Sequence, residues 1–147
     1  MADLTSNQVC NICCIHYNAG LRCCALGSLV EGGYLFNKDG SIAWIVACSS
    51  TQVSRAWASR DDAVTVAQAS NACGDWFVPS KTDLQLGYDC KSFWDSFSSA
   101  NYWSSTEATA TYAWIVCFSY GGINISRKTI SGASLACCVR AFRRVSY

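Results

Sequence analysis

The sequence predicts an α+β domain: a β-hairpin, two short helices, then a run of strands filling the last third of the chain. Three observations carry this. An Asp-Gly turn signal at Asp39-Gly40 separates two β-rich runs; Ser-x-x-Asp capping patterns begin at Ser59 and at Ser80; and from Tyr102 onward apolar and aromatic residues recur in short runs broken by Ser, Thr and Gly.

Taken in order, Thr5 or Ser6 can cap a short helix over residues 7 to 17, with Val9, Ile12, Cys13 and His16 on one face, ended by Asn18-Ala19-Gly20. Tyr34-Leu35-Phe36 and Ser41 to Cys48 form the hairpin, joined by Asn37-Lys38-Asp39-Gly40. Ser59 and Asp62 form a capping-box pattern for the first body helix. Its stripe is Ala63, Val66 and Ala67, with Ser70 next on that face, and Gly74 terminates it. Asp75-Trp76-Phe77-Val78-Pro79 cannot continue a helix, and Ser80 and Asp83 cap a second one through Leu84 and Leu86 toward Tyr88. The strand-like runs that follow, Tyr102-Trp103, Tyr112 to Tyr120, Ile123 to Ile130 and Leu135 to Val145, read as a β-meander.

The 147 residues are 51% hydrophobic and 14% charged, against about 25% charged in average globular chains, which excludes a disordered tail. With 11 Lys+Arg against 10 Asp+Glu, the net charge of +1 offers no chain-wide attraction for nucleic acid or an anionic membrane. The longest apolar runs fall far short of the roughly 20 residues of a membrane-spanning helix. The first residues carry no basic start or apolar block, so no ordinary secretory signal is expected.

Eleven cysteines make an odd count, and five of them, Cys10, Cys13, Cys14, Cys23 and Cys24, crowd into a short N-terminal stretch. Three readings stand side by side: small buried hydrophobes, disulfide partners, or thiolates for a tetrahedral zinc. The adjacent Cys23-Cys24 pair lacks the two-residue gap of a zinc ribbon, so no metal is assigned. His16 is the only histidine and lies outside the body, so a cysteine nucleophile there would lack its usual base. Asp61-Asp62 is better explained by a helix N-terminus than by paired-carboxylate catalysis, and no phosphate loop or dinucleotide fingerprint occurs. The expectation is a protein that is not an enzyme and needs no cofactor.

Trp76-Phe77-Val78-Pro79-Ser80-Lys81-x-Asp83-Leu84, then Tyr102-Trp103-Ser104-Ser105-Thr106-Glu107, then Ala113-Trp114-x-Val116-x-Phe118-x-x-Gly121, ending in Val139-Arg140-x-x-Arg143, occur in that order. As a set, over residues 31 to 147, they resemble the Lcl C-terminal domain family, known from bacteriophage structural and tail proteins and a bacterial collagen-like adhesin. The resemblance implies a C-type-lectin-like fold, with two helices flanking a twisted antiparallel sheet and the first and last strands of the domain brought together. It implies a virion structural protein, a capsid decoration, tail or fibre subunit, localised in the virion and acting through self-association and contact with other virion proteins. The alternative is an adhesion module that recognises a host glycan or surface protein. The Glu-Pro-Asn and Trp-Asn-Asp triplets of calcium-dependent lectins are absent, so calcium-bridged sugar binding is not expected.

Residue-level expectations follow. Trp76, Trp103 and Trp114 should share one core. Ser104, Ser105 and Thr106 should hold neighbouring backbone, and Glu107 should pair with Arg140 or Arg143. Arg140 should reach a carboxylate or carbonyls, while Arg143 faces solvent and Arg144 escapes to water. The Tyr-, Ser- and Gly-rich segments make Thr109, Thr111, Tyr112, Tyr120, Asn124 and Ser126 candidate partner-binding residues. Residues 1 to 30 stand apart as a Cys-rich attachment arm. Its apolar side chains, Val9, Ile12, Ile15, Leu21 and Leu26 with Leu29 and Val30, must pack on something, and a neighbouring subunit is favoured.

Overall fold

The computed structural model describes residues 25–30, 33–70, 75–130 and 133–146. Strands β2 (Gly33–Asp39) and β3 (Ile42–Ala47) form the expected hairpin, with Gly40 at φ 60° in the two-residue turn where only a residue tolerant of the left-handed region fits. A bulge at Phe36 interrupts the register, and Leu35 and Phe36 are both fully buried, in different clusters. The short strand β1 (Leu29–Val30) pairs with the start of β2, and Val30 is core. Leu29 and Val30, which the sequence counts with the arm, thus pair with the body sheet.

The first helix, α1 (Asp62–Ser70), begins later than its sequence pattern suggests. Trp57–Ser59 is spent on a 3-10 turn, and Asp62 pairs with Arg55 at 2.9 Å, so the expected Ser59 capping box gives way to a start behind Asp61. Ala63 and Ala67 are buried as expected, with Val64 rather than Val66 completing the packed face. In contrast, α2 (Lys81–Asp89) carries the full capping box: Ser80 Oγ accepts from Asp83 N, and Asp83 Oδ2 accepts from Ser80 N.

The remaining strands are β4 (Val53–Ala56), β5 (Asn101–Glu107), β6 (Tyr112–Cys117), β7 (Ile123–Arg127), β8 (Thr129–Ile130), β9 (Ala133–Ser134), β10 (Ala136–Val139) and β11 (Phe142–Ser146). They do not form a simple meander. One sheet has the order β1-β2-β3-β11 and the other β4-β10-β5-β6-β7, with β8-β9 a separate ribbon. The expected single run over 135 to 145 breaks at Arg140-Ala141, and its halves enter different sheets. β10 lies between β4 and β5 and is parallel to β5, a departure from the all-antiparallel expectation. The first and last strands of the described chain do share a sheet, at its two edges.

Adjacent residues on β5 point to opposite faces, and each face has its own helix. Tyr102 faces a cluster with Val116, Phe118, Phe36, Phe142, Trp94 and Leu84 of α2; Trp103 faces Ile115, Val139 and Ala63 of α1. Trp76 belongs to a third cluster with Leu35, Ile45, Ala67 and Val145. The expectation of a common tryptophan core is thus corrected: Trp76 and Trp103 are buried in different clusters, and Trp114 is only half-buried, with Lys81 Nζ 4.1 Å above its ring. Trp94 takes the central place instead, packed against Phe36, Phe97, Tyr102, Phe118 and Phe142.

Of the arginines near the C-terminus, only Arg143 departs from its expected place. Arg140, 2% exposed, sits at the crossing between sheets. Its Nη1 donates to Ala47 O and Asp95 Oδ1, and its Nη2 to Gln52 Oε1 and Ser96 O. Arg143, expected in solvent, is buried beside Ile45 in register and donates to Asp75 Oδ1 at 2.9 Å, because it shares the core-facing side of β11 with Val145. Arg144 is exposed and rests over Trp44 and Phe77. Glu107 pairs with neither Arg140 nor Arg143 but with Lys128 at 3.0 Å, since β5 carries it to the far end of its sheet. Among the described residues no helix is long and apolar enough to cross a membrane.

Candidate interaction surface

The Trp103 run builds the platform on which the exposed surface rests. Ser104 Oγ donates to Trp114 O and accepts from Thr106 N; Ser105 N donates to Pro79 O; and Thr106 Oγ1 accepts from Lys81 N. These bonds seat the N-terminus of α2 on β5 and β6, as expected for hydroxyls holding neighbouring backbone. Trp103 Nε1 donates to Arg55 O, and Trp57 Nε1 to Ser104 O.

Beyond α2 the sheet ends at β7. Ile125 lies opposite Trp114 and Ile123 opposite Val116, so both side chains fall on the α2 face, outside the shelter of the helix. They are 46% and 40% exposed, and Tyr120, in the preceding turn, is 66% exposed. Together they are three of only five exposed large apolar side chains among the described residues, the others being Leu26 and Ile42. A groove of about 300 Å³ runs between α2 and β7, lined by Lys81, Thr82, Gln85, Leu86, Asp89 and Ile123. Gln85 Oε1 is buried there without a hydrogen-bond partner among the described residues. Gly121, at φ 81°, turns the chain tightly under the Tyr88 ring and brings β7 back beside the helix.

The backbone of β7 has a definite polarity. Cys117 N donates to Gly122 O and Lys128 N to Thr111 O, so these pairs lie in the hydrogen-bonded register of the β6-β7 ladder. Alternation then turns the amides of Asn124 and Ser126 toward β6, and those of Ile123, Ile125 and Arg127 away from the sheet. Among the described residues no strand pairs with that outer edge.

The six candidate loop residues do not make one site. Thr109, Thr111 and Tyr112 lie at one end of the β6-β7 ribbon, and Tyr120 at the other. Thr109 Oγ1 accepts from the amides of Thr111 and Tyr112, and Lys128 Nζ donates to Thr109 O and Ala110 O, so that loop is held from within. Arg127 Nε donates to the Tyr112 hydroxyl. At the other end Asn124 Nδ2 donates to the Tyr120 hydroxyl at 3.1 Å, holding the exposed ring. Ser126, opposite Ala113, points to the α1 face and bonds the carbonyl of Arg127. Ile123 and Ile125 lie within the stretch 121 to 126 expected to face a partner, but the sequence singled out neither of them nor the outer side of α2. The Ile-x-Ile alternation in the strand after Gly121-Gly122 was the available signal, but it reads equally as a buried face. Of the expected arm residues, Leu26 is 36% exposed, while Val9, Ile12, Ile15 and Leu21, with the five clustered cysteines and His16, lie outside the described residues.

Among the described residues, Cys48, Cys90, Cys117, Cys137 and Cys138 are free thiols. Burial pushes Cys137 up to about 11, with the neighbouring Cys138 thiol adding to the rise. A hydrogen bond with the Ser119 hydroxyl at 2.9 Å draws Cys117 below its ordinary value. Cys137 and Cys138 line a second groove of about 330 Å³ with Ser54, Ala100, Asn101 and Ala136. Among the described residues no three His, Cys, Asp or Glu side chains converge in a way that could hold a metal ion. No family model and no curated protein sequence matches the chain.

Proposed function

We propose that this domain is a binding and assembly module, a structural subunit of a bacteriophage particle that attaches through protein–protein contacts rather than by catalysis. The observation that carries the reading is the concentration of Tyr120, Ile123 and Ile125 along an open sheet edge beside an apolar groove. Monomeric proteins protect such edges with charge, proline or cover, and an exposed one is a template for pairing with another chain. The virion setting, as decoration, tail or fibre subunit, rests on the resemblance to the Lcl C-terminal domain family. A C-type-lectin-like fold is supported by two helices on opposite faces of a sheet and by the Trp-Ser-Ser-Thr run seated under α2. Self-association and contact with other virion proteins are the partners this reading assigns. The Cys-rich arm is assigned a share of the attachment.

The test is immunogold labelling and quantitative mass spectrometry of purified particles. Regular labelling at stoichiometric copy number is expected, and absence from washed particles overturns the virion reading. A second reading, adhesion to a host glycan or surface protein without calcium, draws support from the Tyr120 ring, whose exposed face is oriented by Asn124 and suits stacking on a sugar. Retention on a glycan array in the presence of a chelator, lost on Tyr120→Ala, is its distinguishing result.

A further inference from the structure

We infer that the partner for the β7 edge is a second copy of this chain, joined by two-fold antiparallel pairing of β7 with β7 centred on Ile125. The inference rests on the assembly reading above and names the occupant of that surface. Its first support is the outward polarity of the strand. The amides that leave the sheet belong to Ile123, Ile125 and Arg127, spaced evenly about Ile125. A two-fold axis through Ile125 sets that residue opposite itself and Ile123 opposite the partner's Arg127, with reciprocal contacts as such an axis demands. Every pair so formed falls in the hydrogen-bonded register, so each outward N–H and C=O finds a mate.

The second support is charge complementarity. Lys81 stands over Trp114, which lies opposite Ile125 in the ladder, while Tyr88 meets the turn at Gly121. The helix α2 therefore runs beside β7 with its Asp89 end near Ile123, and Asp89 and Ile123 line the same groove. Pairing across the axis brings the partner's Arg127 opposite Ile123, on the same face as the groove, and hence to the carboxylate of Asp89. The symmetric contact repeats it. Arg127 and Asp89 are both exposed, and their own chain places them at opposite ends of β7, so they complement each other only across the axis.

Apolar burial follows from the same geometry. An axis perpendicular to the sheet keeps both α2 helices on one side, so Ile123 and Ile125 of both copies fill the strip between them. The result is a continuous sheet through both subunits, with no exposed edge at β7.

Sedimentation velocity on the full chain across a concentration series tests the proposal, with circular dichroism and thermal melting confirming that each variant is folded. The full chain is expected to be a dimer. Ile125→Lys, which puts a charge on the edge, should give a folded monomer. Asp89→Arg should weaken the dimer about tenfold, and Asp89→Arg with Arg127→Asp should restore it. A full chain that remains monomeric up to about 100 µM overturns the proposal. So does a dimer indifferent to Ile125→Lys, or one lost only when residues 1–24 are deleted, which would give the interface to the arm. A failed swap, with Asp89→Arg no weaker than the full chain, overturns the stated register. A monomer that still labels particles overturns the dimer alone, and a dimer absent from particles overturns only the virion reading.

Discussion

Arg140 shows what one buried charge does in this protein. It is taken out of water at the crossing between the sheets, and its guanidinium bonds Gln52, Asp95 and two carbonyls there. Gln52 Oε1 also accepts from the Tyr102 hydroxyl, and Asp95 Oδ2 accepts from Ser49 N. Arg140→Ala strands these groups and is expected to cost about 3–5 kcal/mol in urea denaturation. Burial pushes the Asp95 carboxyl up, but bonds from Ser49 and Ser96 and the Arg140 charge outweigh it and hold the carboxyl below its ordinary 3.8. The group therefore adds stability that is present above the ordinary value and lost as pH falls through the lower folded one. Melting temperature should fall on acidification below about pH 4, less steeply in Asp95→Asn. Among the thiols, Cys117 should alkylate faster than Cys137 at pH 8, because its Ser119 bond favours the thiolate while burial at Cys137 opposes it. Peptide mass spectrometry after a timed iodoacetamide pulse reads the order directly; a faster Cys137 would refute it.

At the scale of elements, two Ser-x-x-Asp patterns of identical form had different outcomes. Ser80 and Asp83 close a capping box, and Ser80→Ala should cost about 1 kcal/mol. Ser59 is absorbed in a 3-10 turn, and Ser59→Ala should stay within about 0.5 kcal/mol. Paired chemical denaturation curves separate the two. The difference is tertiary: Trp57 Nε1 bonds Ser104 O and its ring lies against Arg60, which fixes the chain before the helix can begin. Gly87 reverses the usual helix rule. A glycine-to-alanine change inside a helix ordinarily stabilises, but a Cβ here would lie 2.6 Å from the Phe142 ring and 3.0 Å from Trp94. Gly87→Ala is expected to destabilise by about 1–3 kcal/mol, measured in the same denaturant series.

For the whole molecule, the two sheets meet at the β10-β11 crossing and are also bridged by α1, whose Val64 packs on the clusters of both. Arg140 bonds across the gap, Phe142 pairs with Phe77 by backbone bonds in both directions, and the Phe142 ring packs on Phe36 and Trp94. Tyr102 and Val116 of the second sheet, with Phe118 just after β6, join that same cluster, so the two sheets share it, while each also packs a cluster of its own against α1. Unfolding followed by tryptophan fluorescence and by far-ultraviolet circular dichroism should give coincident transitions, and Phe142→Ala should lower both midpoints together. Separated midpoints would show that the sheets are independent units. The β7 edge lies far from this junction in the sheet order, which leaves its outer amides available for assembly without cost to the core.

The sequence by itself determined the α+β class, the hairpin at Gly40, both helices and the capping of the second, because these depend on turn chemistry, caps and periodicity within a few residues. It also placed Arg140 on a carboxylate and carbonyls, since a long cation between Val139 and Ala141 has few other fates. Tertiary structure alone decided the rest. Inserting β10 between β4 and β5 and sending β11 to the other sheet are pairings between distant residues that no local pattern encodes. The same pairings buried Arg143 on the core-facing side of β11, moved Glu107 to Lys128 and gave Trp94 rather than Trp114 the central core position. They also left β7 last in its sheet, and only that position distinguishes Ile123 and Ile125, exposed beside a groove, from two ordinary core residues of a strand.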